Sequence, residues 1–152
     1  MRQPKHITSL TNDRVKAIRA LDMRKERKET GLFIAEGASI LVTAREHGFK
    51  PETLVCRAGG DAGEMQRSLV DDALRAGTEV LEVSEAVLEK IAAKDNPQSL
   101  IGVFRQRWAE APDPARLSRK DVWVALEEVR DPGNLGTIIR TVDAVGAKGV
   151  IL

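Results

Sequence analysis

The sequence has few of the residues that build disulfide frameworks and metal centres. It contains one cysteine and two histidines in 152 residues. A single cysteine excludes an intramolecular disulfide, as is typical of proteins from a reducing compartment. His6, His47 and Cys56 are not grouped with the spacing of metal ligands, so we expect neither a structural nor a catalytic metal site.

Aromatic residues and long apolar runs are also missing. There are three phenylalanines, two tryptophans and no tyrosine, so the core is expected to be aliphatic and an aromatic platform for base stacking is not expected. No apolar run approaches the roughly 20 residues that cross a bilayer, and the first residues lack the apolar stretch of a signal peptide. We therefore expect a soluble, cytoplasmic protein with no membrane partner.

What the sequence does have is an uneven distribution of charge. Residues 1–28 carry nine Lys or Arg against three acidic residues, a net charge of +6, whereas the other 124 residues carry a net charge of −5. Clustered cations gain affinity for polyanions by releasing counterions from phosphates. The sequence therefore indicates a polyanionic partner, although a solvated helix face that binds nothing has the same composition. The candidate contacts are Arg14, Lys16, Arg19, Arg24, Lys25, Arg27 and Lys28.

Hydrophobic periodicity and turn residues predict an α/β protein. One helix is expected over residues 12–30, with Thr11 or Asn12 as its cap and Gly31 after its last turn. Its buried stripe is expected to consist of Val15, Ile18 and Leu21. Further helices are expected over 38–47, 64–76 and 85–93, and strands over 32–35, 54–56, 79–83 and 100–104. Short strands that alternate with helices predict helices stacked on a largely parallel sheet.

A second unit is predicted after a proline-containing linker. We expect a first domain over residues 1–108, a linker over 109–120 and the start of a second domain over 121–152. In the second, residues 122–126 form an apolar strand expected to be covered on both faces. The predicted loop is 127–134, the helix 135–145 and the last strand 149–152. Because one βαβ unit of this size cannot bury both strands, we expect this domain to be incomplete.

The residues most indicative of chemistry follow the strand at 122–126. An α/β sheet places its ligands at the carboxyl ends of its strands, and here Pro132 and Gly133 make a tight turn before Asn134. Arg140, six residues later, brings a guanidinium that can clamp a phosphate or act on a nearby hydroxyl. The alternative is that Asn134 only caps the helix and Arg140 is an ordinary surface residue. The sequence has neither a G-x-G-x-x-G nor a P-loop pattern, so it offers no support for a nucleotide-binding regulatory domain.

Four segments, taken in order, resemble one family. They are Ile7-Thr8-Ser9-Leu10-x-Asn12-x-Arg14-Val15-Lys16, Phe33-Ile34-Ala35-Glu36-Gly37, Asn96-Pro97-Gln98 and Asp131-Pro132-Gly133-Asn134-x-Gly136-x-x-x-Arg140-Thr141. The last resembles the first motif of the SpoU/TrmH branch of the SPOUT methyltransferases, and the others resemble that family's N-terminal substrate-binding domain. The resemblance spans the chain, but the family's second and third motifs have no counterpart.

The resemblance implies methyl transfer from S-adenosylmethionine to a ribose 2′-hydroxyl of RNA, with rRNA favoured over tRNA. It implies a ribosomal-protein-like α/β domain that holds RNA, followed by the first βαβ unit of a trefoil-knot domain through which the full-length protein dimerises. Arg140 would activate the attacking hydroxyl, and Asn134 would position Arg140 or the RNA. The cofactor pocket is expected beyond Leu152, so residues 1–152 should bind RNA without catalysing transfer. The alternative is a non-catalytic RNA-binding module, which would not require the turn at Asn134.

Overall fold

A computed structural model describes residues 3–59, 63–92 and 99–152, which divide into two compact units, 1–107 and 108–152. The strands of unit 1 are β1 (Lys5–Ile7), β2 (Leu32–Glu36), β3 (Thr53–Arg57), β4 (Glu79–Val83) and β5 (Leu100–Arg105). Its helices are α1 (Asp13–Ala20), α2 (Arg24–Thr30), α3 (Ala38–Glu46), α4 (Glu64–Arg75) and α5 (Glu85–Ile91). Unit 2 contains a 3₁₀ turn (Pro114–Arg116), β6 (Trp123–Ala125), α6 (Pro132–Ala144) and β7 (Gly149–Ile151). The α/β class is thereby confirmed.

The sheet of unit 1 is mixed, so the prediction of a largely parallel sheet is wrong in part. Its strand order is β1-β4-β3-β5-β2. Strands β1, β4 and β3 are parallel, whereas β5 is antiparallel to both β3 and β2. The reason is where β5 begins: the Arg57 N–H donates to the Ser99 carbonyl at 3.2 Å, beside the carboxyl end of β3. A strand that starts at this edge must run back in the opposite direction.

Two apolar clusters cover opposite faces of this sheet, because successive side chains of a strand alternate in direction. Val55 and Leu81 belong to one cluster, and their chain neighbours Leu54 and Val80 belong to the other. The first cluster is completed by α1 and α5, and the second by α3 and α4. The predicted stripe of α1 is confirmed, since Val15, Ile18 and Leu21 are all buried. Between α3 and α4 the second cluster leaves a cavity of about 180 Å³.

The predicted helix over residues 12–30 is in fact two helices. Asn12 is the N-cap of α1 and its side chain accepts from the Arg14 N–H at 2.9 Å, while Gly31 ends α2 with φ 68°. The chain turns at residues 21–23, where no glycine or proline marks a break. Arg27 explains the break, because its guanidinium Nη1 donates to the carbonyls of Leu21 at 2.9 Å and Asp22 at 2.5 Å. These bonds satisfy carbonyls that the ending helix leaves without partners.

Unit 2 is a single parallel strand pair with one helix. Trp123 and Gly149 are paired in register, and a Cβ on Gly149 would lie 2.5 Å from the indole ring, so only glycine fits there. Among the described residues of this unit Val142 is the one buried hydrophobic side chain. The expectation that both faces of the first strand are covered is therefore wrong for these residues, since Trp123 and Val124 are only half-buried. The apolar residues left exposed include Val122, Ile139, Val145, Ile151 and Leu152.

Most predicted boundaries agree with the structure to within two residues. The strand at 79–83 is confirmed at both ends, and the helix predicted at 64–76 is found over Glu64–Arg75. The strand β1 was not predicted, and α6 begins three residues before the predicted Leu135. The segment Asn96-Pro97-Gln98 lies outside the described residues. No helix in the described part of the chain is long and apolar enough to span a membrane.

Candidate functional site

The turn before α6 is fixed by Asp131. Its carboxylate accepts from the Gly133 N–H at 2.8 Å, so Asp131 is the N-cap, and Pro132 occupies the first turn, where the missing N–H costs nothing. The interpretation of Asn134 as the helix cap is therefore wrong. Asn134 instead lies in the first turn of α6 with an exposed side chain, which leaves its amide available to a ligand.

A hollow of about 610 Å³ adjoins this turn. Asn134 contributes to its wall together with residues of the loop that follows β6 and of the first two turns of α6. The lining residues are Glu128, Val129, Arg130, Asp131, Asn134, Thr137 and Ile138. The predicted location is thus matched by a concave surface of mixed charge near the carboxyl end of β6.

Arg140 reaches the same turn through Thr137. The Arg140 Nη2 donates to the Thr137 Oγ1 at 3.1 Å, and that hydroxyl donates in turn to the Gly133 carbonyl at 3.0 Å. Arg140 itself is exposed and is not part of the wall of the hollow. In the part of the chain that the structure describes, no hydrogen bond joins Asn134 to Arg140. The two residues therefore lie on the same helix without a hydrogen bond between them.

Two charged residues of the hollow were missed by the sequence analysis. Glu128 has φ 54°, the one non-glycine residue with positive φ in the described ranges, and it pairs with Arg130 at 3.6 Å. A left-handed conformation costs an ordinary side chain about 1 kcal/mol or more. The sequence carries no signal for that backbone state, although two consecutive glutamates after an apolar strand could have drawn attention to the loop.

Two of the seven predicted RNA contacts are held by the protein itself. Arg14 donates through Nε to Glu79 at 3.0 Å and through Nη2 to the hydroxyl of Thr53 at 3.0 Å, and its Nη2 also pairs with Glu79. Arg27 is bound to the two carbonyls between α1 and α2. Both guanidinium groups therefore stabilise the basic segment.

The other five cations remain exposed on α1 and α2. Lys16 lies 3.4 Å from Asp13 and Lys25 lies 3.8 Å from Glu29, both exposed pairs of the kind that contributes little. The other three have no ion-pair partner among the described residues. They are Arg19, Arg24 and Lys28. The structure thus leaves these helices with a cationic surface able to contact a polyanion.

In the described part of unit 1 the surroundings of Glu79 and Cys56 shift the pKa of each side chain. Burial raises the pKa of Glu79, but the hydrogen bonds and charges of Lys5 and Arg14 outweigh burial, and the pKa ends below its ordinary value. Burial, and then the charge of Glu82, raises the pKa of the Cys56 thiol to about 11, so Cys56 is not a nucleophile at neutral pH. Among the described residues no three His, Cys, Asp or Glu side chains form a group that could hold a metal ion.

Comparison with known proteins connects these features to one family. The model of the MRM3-like substrate binding domain matches residues 12–102. A tRNA/rRNA methyltransferase of Synechocystis, itself uncharacterized, is 34% identical over an alignment of 150 residues that covers 96% of this chain and 52% of the relative. The 23S rRNA (guanosine(2553)-2′-O)-methyltransferase of Bacillus subtilis is 30% identical and is matched over 97% of this chain and 54% of its own.

A solved structure gives the same result. The AdoMet-bound rRNA methyltransferase of Sinorhizobium meliloti is 42% identical and superposes with a TM-score of 0.80, covering 98% of this chain and 54% of that one. The chain therefore spans about half the length of the relatives it matches. The match extends through both units, since it includes nearly all residues of the chain.

Proposed function

Because the chain belongs to the SpoU/TrmH-type RNA methyltransferases, we propose that the full-length protein methylates a ribose 2′-hydroxyl of RNA. The observation that carries the proposal is the turn at the carboxyl end of β6, where Asp131 fixes the backbone, Asn134 faces a hollow and Arg140 is tied to the same turn. A module that only binds RNA would not require this turn, so the non-catalytic alternative is not favoured.

The proposed methyl transfer needs no covalent bond to the protein, so the protein contributes mainly by electrostatic stabilisation. The ribose oxygen bonds to the methyl carbon, the carbon–sulfur bond of the sulfonium donor breaks with its electron pair left on sulfur as a thioether, and the hydroxyl proton passes to solvent water. A guanidinium keeps its proton up to about pH 12, so Arg140 is a poor base. We assign it to holding an RNA phosphate and stabilising the alkoxide as it forms. The Asn134 amide, which can donate and accept, would orient the ribose or its phosphate.

S-adenosylmethionine, the proposed methyl donor, needs an apolar slot for its adenine. The wall of the hollow has two aliphatic residues, Val129 and Ile138, among charged and polar ones. We therefore place the donor pocket outside residues 1–152, as the sequence predicted, and expect these residues alone to show neither transfer nor affinity for the donor.

We assign RNA binding to the exposed cations of α1 and α2. Arg19, Arg24 and Lys28 supply free charges, with Lys16 and Lys25 beside them, while Arg14 and Arg27 hold the segment in place. We expect rRNA to be preferred over tRNA, because the B. subtilis relative modifies 23S rRNA, and we expect the full-length protein to act as a dimer in the cytoplasm.

The surface assignment can be tested by the salt dependence of RNA binding in residues 1–152. Arg19→Glu, Arg24→Glu and Lys28→Glu should each weaken binding and lower the slope of log affinity against log salt by about 0.7–0.9. Arg27→Gln is the matched control. Its main effect should be a lower unfolding midpoint, and its change in the salt slope should be smaller than that of the three glutamate variants. Unchanged slopes in the first three variants would return the segment to the interpretation as a solvated face.

The activity can be tested with the full-length protein, radiolabelled S-adenosylmethionine and separate pools of rRNA and tRNA. We expect label in rRNA, and nucleoside digestion should place it on a ribose, which leaves the 2′-O-methyl dinucleotide resistant to alkaline cleavage. Label on a base would contradict the assignment to ribose. RNA binding without label would support the binding-module alternative.

A further inference from the structure

Thr137 is the residue through which the turn reaches Arg140. Its Oγ1 makes two hydrogen bonds, donating to the Gly133 carbonyl at 3.0 Å and accepting from the Arg140 Nη2 at 3.1 Å. Gly133 is itself held by the carboxylate of Asp131 at 2.8 Å. Hydrogen bonds therefore run without a gap from the N-cap of α6 to the guanidinium.

The direction of both bonds follows from Arg140, because a guanidinium has donors and no acceptor, which leaves the Thr137 proton for the Gly133 carbonyl. A threonine hydroxyl has one proton and two lone pairs, and when the proton is committed to Gly133 the oxygen can only accept from Arg140. Arg140, by contrast, has five donors on a long and exposed side chain, so in water its guanidinium samples many rotamers. One fixed acceptor near the turn reduces that freedom.

We propose that Thr137 is a positioning residue for Arg140, holding the guanidinium in the orientation used toward the ribose and phosphate. This rests on the proposed function for the identity of the substrate, but the contact itself does not. Thr137 also lines the hollow that Asn134 faces, whereas Arg140 does not. Thr137 therefore both lines the hollow and accepts a hydrogen bond from the guanidinium.

The structure also supplies a matched comparison within the same helix. Thr141 donates to the Thr137 carbonyl at 3.0 Å, the same bond four residues back that Thr137 makes to Gly133. Thr141, however, has no bond to Arg140. A loss of kcat that Thr137→Val and Thr141→Val share reflects a less stable helix. Only the additional loss of kcat in Thr137→Val reflects the missing hydrogen bond to Arg140.

The kinetic test uses the full-length protein with rRNA and S-adenosylmethionine. We expect kcat of Thr137→Val to fall roughly tenfold more than that of Thr141→Val, which is the scale of one hydrogen bond to a charged group. The KM for S-adenosylmethionine should be unchanged, and Thr137→Ser, which keeps the hydroxyl, should recover most of kcat. Equal losses in both valine variants, or no recovery in Thr137→Ser, would overturn the proposal.

A second measurement separates this proposal from the proposed function. Nitrogen-15 NMR of the full-length protein follows the Arg140 guanidinium, whose resonances are assigned by their loss in Arg140→Lys. We expect slowed rotation and slowed proton exchange at Arg140 in the wild type and in Thr137→Ser, and free rotation in Thr137→Val. A freely rotating wild-type guanidinium would overturn the role of Thr137 whether or not the protein methylates RNA. A restrained guanidinium in a protein that transfers no methyl group would contradict the proposed function alone.

Discussion

Units 1 and 2 differ in how far their apolar side chains are buried. Unit 1 packs helices on both faces of a five-stranded sheet, and its two clusters bury side chains completely, as shown by Leu81 in the first and Leu100 in the second. Unit 2 has two strands and one helix, with Val142 as its single buried hydrophobic residue in the described ranges, while Val145 is 69% exposed. Burial is the main source of stability, so the stability of the described residues lies in unit 1 and the proposed chemistry in unit 2.

The largest expected effect is on the free energy of unfolding, when one aliphatic side chain in each unit is replaced by alanine. Leu81→Ala removes a fully buried side chain from the centre of the first cluster and should lower the free energy of unfolding by about 3 kcal/mol. Ile139→Ala, at a half-exposed position of α6, should cost less than about 0.5 kcal/mol. Urea unfolding followed by far-UV circular dichroism measures both. Similar losses in the two variants would mean that unit 2 contributes as much to stability as unit 1.

The second prediction concerns activity in place of stability. A substitution that keeps the charge should lower the rate of methyl transfer more in unit 2 than in unit 1. In the full-length protein Arg140→Lys keeps the charge but loses the planar fork, so methyl transfer should fall on the order of a hundredfold while the melting temperature stays the same. The matched control is Arg75→Lys at the end of α4, which should leave the rate within about twofold. Near-normal turnover in Arg140→Lys would make Arg140 an ordinary surface residue.

The smallest effect concerns the ion-pair network of unit 1. A carboxyl with a lowered pKa contributes stability above its ordinary pKa and loses it as the pH falls through the folded-state pKa. Glu79→Gln should therefore cost up to about 1 kcal/mol at neutral pH, a figure kept low because Lys5 and Arg14 are exposed. The difference from wild type should disappear near pH 2, where the carboxyl is protonated in both states.

A matched variant isolates this effect. Glu29→Gln removes the exposed partner of Lys25 and should change stability by less than about 0.5 kcal/mol at either pH. Urea midpoints of both variants at the two pH values provide the measurement. A penalty for Glu79→Gln that persists in acid would show that the side chain acts by packing and not by its charge.

Local signals predicted most of the elements. The cap at Asn12, the glycine at the end of α2 and the alternation of strands with helices depend on neighbours in the chain, and the structure agrees with them. The break between α1 and α2 was missed because no glycine or proline marks it, and the Arg27 side chain that bonds to the carbonyls there carries no turn signal in the sequence. The direction of β5 was missed because strand order depends on contacts that no local pattern encodes.

The candidate site likewise has features that local sequence signals predicted and features that depend on contacts in the folded protein. A turn fixed by Asp131 and an adjoining hollow lie in the segment that carries the motif, yet the motif assigned no role to Thr137 and left Asn134 as a possible cap. For the basic segment, sequence alone could not distinguish Arg14 from Arg19. The partner of Arg14 is Glu79, 65 residues away in the chain, so which cations are held by the protein itself is decided only when the sheet has formed.

The position of β5 has a consequence for the order of events during synthesis. In the described residues β2 pairs only with β5, and β5 also completes one side of β3. A nascent chain that ends before Leu100 thus holds β2 without a partner and leaves one edge of β3 open, and such edges invite pairing with other chains. Unit 1 can close only after residue 105 has left the ribosome, and until then its N-terminal half exposes unpaired strand edges of the kind that chaperones protect.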